Sequence, residues 1–314
     1  VASPRSMTRL RSMLVAALAA ALATAAPAFA QDAVLNLYSA RHYQTDEALY
    51  ANFTKATGIR INRIEAGDEQ LLERLRSEGA NSPADVLLIV DASRLYNAQQ
   101  LGLFQPVKSA LLESRIPATL RDPDGEWFGF SSRARVIVYS KARVKAADVP
   151  SYESLSAAAN KGRVCVRSGS PPYNLSLVAA MLEHVGEPKA EAWARGVVAN
   201  FARAPKGGDT DQIKAVAAGE CDVALSNSYY YARLLRSARV EDQEVVAKAG
   251  IVWPDQAGFG AHVNISGAGV LKNAPHREAA VRFLEYLASD EAQRYFADGN
   301  NEWPVVKSVV VRNP

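Results

Sequence analysis

A-D-V-L-L-I-V-D-A-S-R-L-Y-N-A-Q-Q-L-G, residues 84–102, reads as a strand, a cap and a helix in succession. Ala84–Asp91 is a near-continuous apolar run, the composition of a strand covered on both faces of a parallel sheet. Asp91 then stands where a helix N-cap belongs, and Gly102 where the helix stops. The same grammar extends outward on both sides. Toward the N-terminus lie a strand at 34–39, a helix over Asp46–Thr57, a strand at 59–64 and an amphipathic helix at 68–78 with leucines at helical spacing. Toward the C-terminus, F-G-F-S-S-R-A-R-V-I-V-Y-S (128–140) is an extended run longer than one core strand needs. A second series follows, with a strand at 163–167, helices at 174–185, 188–202 and 209–218, and a strand at 221–225 leading into a tyrosine-rich helix. An extended segment at 262–271 and a helix at 276–287 complete it. Strands alternating with helices specify an α/β fold. With 314 residues, two domains are expected.

Residues 7–30 stand apart from this pattern. They have a basic start, an apolar run and the small-residue ending Ala28-Phe29-Ala30, the layout of a secretory signal peptide cleaved before Gln31. The apolar run is short for a membrane span and Pro27 breaks it. Val1–Ser6 precede a plausible start at Met7. Export, and a periplasmic location, are therefore expected. The two cysteines, Cys165 and Cys221, both enter an oxidising compartment, where an even count favours one disulfide over two buried thiols. With 36 basic and 33 acidic residues mixed along the chain, no basic stripe marks a nucleic-acid surface. Four histidines, no H-E-x-x-H and no G-x-S-x-G leave little for catalysis, so a non-enzyme is expected.

Tyrosines carry the chemistry. Tyr43 follows the first strand beside His42, Tyr173 follows the Cys165 strand, and Tyr229 and Tyr230 follow the Cys221 strand. Each falls at the carboxyl end of a strand, where open α/β sheets hold their ligands. Phenolate is a hard anionic oxygen donor, suited to a small, triply charged ferric ion. Calcium and magnesium call for carboxylates and carbonyls, and zinc for cysteine, histidine or an acid. Successive helix residues point about 100° apart, so Tyr231, third in the run, is assigned to packing. Four phenolates on Fe(III) leave one negative charge. Arg133, its strand-mate Arg135, and Arg233 one turn past Tyr229 are the candidates to offset it or to hold a carbonate-like anion. Asp91 is placed at the helix cap rather than at the metal.

The motifs Y-S-A-R-H-Y (38–43), A-D-V-L-L-I-V-D (84–91), S-S-R-A-R-V-I-V-Y (131–139), R-S-G-S-P-P-Y-N (167–174), C-D-V-A-L-S-N-S-Y-Y-Y-A-R (221–233) and G-N-N-E-W-P-V (299–305) together resemble the ferric-ion-binding proteins of bacterial iron ABC transporters. The chain looks especially like their tyrosine-rich, Fut-type subclass, and the resemblance covers nearly the whole mature chain. The resemblance implies Fe(III) held by Tyr43, Tyr173, Tyr229 and Tyr230, with His42 as a candidate fifth ligand. It implies a two-lobe periplasmic-binding-protein fold of the class II type with the ligand in the cleft. Its hinges lie near Arg133–Val138 and Phe259–Val263. On this reading the N-terminal lobe is 31–132 plus 262–314, and the C-terminal lobe is 133–261. A monomer that delivers iron to an ABC permease in the inner membrane is expected. A competing reading is a binding protein for an organic anion or amine, with the tyrosines and Trp127 as an aromatic cage and Ser168-Gly169-Ser170 as an anion nest.

Overall fold

The computed structural model describes residues 33–311 apart from 42 and 44. The leader expected over residues 7–30 lies outside the described residues, as does His42. Among the described residues no helix is long and apolar enough to cross a membrane.

Among the described residues nine strands form one curled sheet. They are β1 (Val34–Ser39), β2 (Arg60–Glu65), β3 (Val86–Val90), β4 (Phe128–Ser140), β5 (Val164–Cys165), β6 (Val223–Asn227), β7 (Ala249–Val252), β8 (Val263–Val270) and β9 (Trp303–Pro304). The order is β2-β1-β3-β8-β4-β6-β5, with β7 and β9 also pairing on β4. β1 runs parallel to β2 and β3, and β5 parallel to β6, while β8 and β4 enter antiparallel. β3 is buried along its whole length, as the apolar run at 86–90 requires. β8 can sit between β3 and β4 because two of its residues are glycines. A Cβ on Gly267 would lie 2.7 Å from Phe128 O, and one on Gly269 2.4 Å from Glu126 O.

β4 is the strand that joins the two halves. Its first part, through Ala134, pairs with β8, and from Arg135 onward it pairs with β6 and β7. The apolar cores divide at the same place. Phe128 and Phe130 pack with β1, β3, β8 and the C-terminal helices, whereas Ile137 and Val138 pack with β5, β6 and the helices between them. The chain crosses back between Val252 and Val263. Arg135 N donates to His262 O at 2.8 Å. The buried Tyr152 hydroxyl donates to Arg135 O and accepts from His262 N, so one phenol ties both crossings together. From Val34 onward the chain holds together as one compact unit.

Several element limits differ from those read in the sequence. The helix carrying Tyr173 is Pro172–Val185, beginning two residues early because a proline is well suited to the first helical position. Helix 188–202 is Glu187–Ala199, and the strand expected at 221–225 is shifted to Val223–Asn227. The helices Val240–Lys248 and Asp290–Asn300 and the strand β7 were not legible as separate elements.

Cys165 and Cys221 are joined in a disulfide, closing a loop with a sequence separation of 56 beneath the helix Asp209–Ala218. Replacing both cysteines by serine should lower unfolding stability by about 2–4 kcal/mol, measured by denaturant titration, while the folded chain is retained. An unchanged midpoint would show that the bridge does not constrain the unfolded chain.

Candidate metal centre

Among the described residues no cluster of His, Cys, Asp and Glu could hold a metal ion. Oxygen donors of another kind converge instead. Tyr43 leaves the end of β1, and Tyr229 stands in the first turn of the helix Ser228–Leu235 that follows β6. Their hydroxyls lie 3.2 Å apart with the rings edge-to-face. The Tyr230 ring is 4.2 Å from that of Tyr229. Tyr173, in the first turn of Pro172–Val185, is near enough for its charge to act on Tyr43, Tyr229 and Tyr230. The structure thus brings all four described candidate phenols together. Tyr231 turns away, donating to Ala249 O at 3.1 Å and packing on the second core.

Burial pushes the Tyr43 hydroxyl well above the ordinary phenol range, and Tyr173 and Glu302 add to that while Arg41 opposes it. Tyr229 is raised by burial and then by Tyr43 and Tyr173, with Arg133 working against the rise. Tyr230 is pushed up to about 12, again by burial first and Tyr173 next. These three phenols are protonated at neutral pH.

Arg133 is the cation placed to act on them. It is 1% exposed, and its Nη1 donates to Ser266 Oγ at 2.9 Å with Glu302 at 4.0 Å. Burial works against its charge, but Glu302 and the Tyr173, Tyr229 and Tyr43 phenols outweigh that, so it stays protonated. Among the described residues its Nε and Nη2 have no hydrogen-bond partner. A buried guanidinium seldom leaves two donors unanswered unless something else is to accept from them. Arg135, two residues on, has its charge engaged elsewhere, by Asp209, Asn227 and Asn174. Arg233 is exposed, its guanidinium carbon 6.0 Å and 5.7 Å from the Tyr229 and Tyr230 ring centroids. It covers ring faces.

Three charged residues at this site were absent from the sequence reading. Arg41 is buried, stacks 4.7 Å from the Tyr43 ring centroid, and is paired with Asp46 and Glu302, each at 2.9 Å. Glu302 sits between Arg41 and Arg133. Arg167 covers the Tyr173 ring at 5.0 Å and reaches Asp209 at 3.4 Å. Arg41 and Glu302 both stand inside quoted motifs. Their partnership spans 261 residues and has no local signature. Asp91 caps the helix Ala92–Gln100 through Ser93, as its position after the strand suggested.

Comparison with known proteins shows the family. The family model described as "Bacterial extracellular solute-binding protein" matches residues 81–314. Iron uptake protein A2 of Synechocystis is 55% identical over 286 residues, covering 90% of this chain and 81% of that protein. The major ferric iron-binding protein of Neisseria meningitidis serogroup B is 31% identical over 301 residues, covering 95% and 88%. Among solved structures, the Trichodesmium IdiA (FutA) protein in complex with iron and citrate superposes with a TM-score of 0.83 at 55% identity, covering 88% of each chain. By name these relatives are an iron uptake protein and a ferric iron-binding protein, and the solved structure holds iron and citrate. The chain belongs to the bacterial extracellular solute-binding proteins, as a homologue of their ferric-ion-binding members with the same two-lobe α/β fold.

Proposed function

We propose that the chain is a periplasmic carrier that captures Fe(III) through Tyr43, Tyr173, Tyr229 and Tyr230 and delivers it as a monomer to an ABC permease in the inner membrane. His42 is the candidate fifth ligand. The observation that carries this reading is the convergence of four phenols from both cores beside a buried arginine with two unanswered donors. The N-terminal lobe of the carrier is 31–132 plus 262–314 and the C-terminal lobe 133–261. The division of the apolar cores along β4 supports a two-lobe reading, although the strand changes partners after Ala134, two residues beyond that boundary, so that Arg133 pairs on the N-terminal side.

Charge supports the same reading. Arg41, Arg133, Arg135 and Arg167 stand against Asp46, Asp209 and Glu302, which leaves one positive charge around the neutral phenols. A ferric ion on four phenolates alone carries one negative charge, which that excess positive charge offsets; an oxyanion beside the metal adds negative charge, for which Arg233 over the Tyr229 and Tyr230 rings is the further cation at hand. Buried charge is tolerated only when it is balanced in this way. An amine ligand lacks support, because the acids around the phenols are already matched with arginines. An anion has a place beside the metal. The unanswered nitrogens of Arg133 suit an oxyanion such as carbonate, and the Trichodesmium relative holds citrate together with iron.

Three outcomes test the proposal. Tyr229→Phe and Tyr230→Phe keep the ring and lose the donor oxygen. Each should weaken ferric binding by more than the ~10–100-fold typical of losing an outer-shell partner and shift the visible phenolate-to-iron band, while Tyr231→Phe should change neither; equal losses from all three would contradict the assignment. Because the free phenols are held protonated, binding releases protons and affinity must fall as pH drops, by about tenfold per pH unit for each proton released; competition with a ferric chelator across neutral to mildly acidic pH reads this, and a flat profile is the contrary result. Arg133→Ala should lower ferric affinity by about 10–100-fold, with partial recovery in Arg133→Lys, and Arg233→Ala should do less because its charge is screened by solvent. A larger loss from Arg233→Ala than from Arg133→Ala would reverse the roles given to the two arginines.

A further inference from the structure

Asp91 does more than cap a helix. It is fully buried, and its backbone sits at φ 90°, a region that residues with a Cβ rarely occupy. Strain of this kind persists where the surroundings hold it in place. Here they do so through both carboxylate oxygens. Oδ1 accepts from Ser93 N at 3.0 Å and Ser93 Oγ at 2.6 Å. Oδ2 accepts from Asn264 Nδ2 at 2.8 Å and from Ser176 Oγ at 2.6 Å. Ser93 and Asn264 belong to the same half of the molecule as Asp91. Ser176 does not. It lies in the helix Pro172–Val185, whose Leu177 and Met181 pack in the core on the far side of the β4 crossing.

Ser176 is also three residues after Tyr173. Residues three apart on a helix share a face. The hydrogen bond that Ser176 gives Asp91 therefore fixes the turn that presents the Tyr173 phenol. Another side-chain contact between the halves, Arg236 Nη1 to Asp298 O and Asn301 Oδ1, is exposed to solvent. The Asp91–Ser176 contact is buried and involves a carboxylate, and hydrogen bonds to charged groups are the stronger kind.

We infer that Asp91 and Ser176 form a closure latch, which locks the Tyr173 helix onto the N-terminal half and retains the ion once it is bound. Asp91 is the preset acceptor, held by Ser93 and Asn264 whether the halves are apart or together. Ser176 is a positioning residue that completes the latch only on closure. The latch needs no metal, so it also draws the iron-free chain toward the closed form. The inference rests on the proposed ferric site for its kinetic readout alone.

The test uses Ser176→Ala in the full chain. This change removes the donor that crosses between the halves and leaves the Asp91 cap and Asn264 bond intact. Protein loaded from ferric citrate is challenged with a competing chelator, and release is followed through the visible band. Ser176→Ala should release iron about tenfold faster than wild type, with the band position unchanged, and Ser176→Thr should restore slow release. Equal release rates overturn the latch. So does a shifted band, which would place Ser176 at the ligands rather than at closure. If wild type and variant alike form no coloured complex, the ferric reading fails, and the latch is then judged by small-angle scattering of the iron-free chains. Ser176→Ala should show the larger radius of gyration, and identical curves would overturn the latch.

Discussion

A buried guanidinium with two empty donors is the feature around which the site is organised. Arg133 is closed off from water, is kept charged by Glu302, and spends one nitrogen on Ser266. Its remaining nitrogens are unanswered. Such an arrangement costs about 1–3 kcal/mol per unsatisfied group, so the chain is less stable than one that filled them. The neighbouring phenols are kept protonated by the same burial. On the proposed ferric reading, one event would answer the empty donors and draw the protons from the phenols: the exchange of phenol protons for a small, highly charged cation. The strain of the metal-free site and the affinity of the loaded one then have a common physical origin.

The fold keeps this arrangement in register through a pair of chain crossings. β4 carries Arg133 in the part paired with β8 and Arg135 in the part paired with β6, so the two side chains belong to different halves although they are two residues apart. Arg133 turns toward Ser266 and Glu302, and Arg135 toward Asp209 and Asn174. Tyr152 pins both crossings of the chain at one point. Tyr43 comes from one half, and Tyr173, Tyr229 and Tyr230 from the other. Separating the halves would therefore take the quartet apart without unfolding either core.

Much of this was legible from local pattern. β1, β4 and the helices Asp46–Thr57, Asp68–Glu78 and Asp209–Ala218 have the limits that periodicity and caps assign them. The phenols could be picked out because strand ends and tyrosines are both visible in one dimension. What escaped was non-local. Arg41 reads as an ordinary charged residue until Asp46 and Glu302 enclose it, and Glu302 reads as a surface acid until it is found with no exposure. Arg135 was paired with Arg133 because alternate strand residues share a face. The pairing of β4 changes between the two residues, and the change of partners separates them. The helix Asp290–Asn300 follows Arg277–Leu287 after two residues, so the sequence reading stopped at the first of them.

Proton release measures the central claim most directly. A ferric chelate of known protonation is added to unbuffered protein near neutral pH, and the base needed to hold the pH constant is recorded, with a correction for the chelator. Ligation by the phenol quartet predicts one proton released for each of Tyr43, Tyr173, Tyr229 and Tyr230 per iron bound, and one fewer for each Tyr→Phe change among them. Binding that releases no protons, or the same number after those changes, would contradict it.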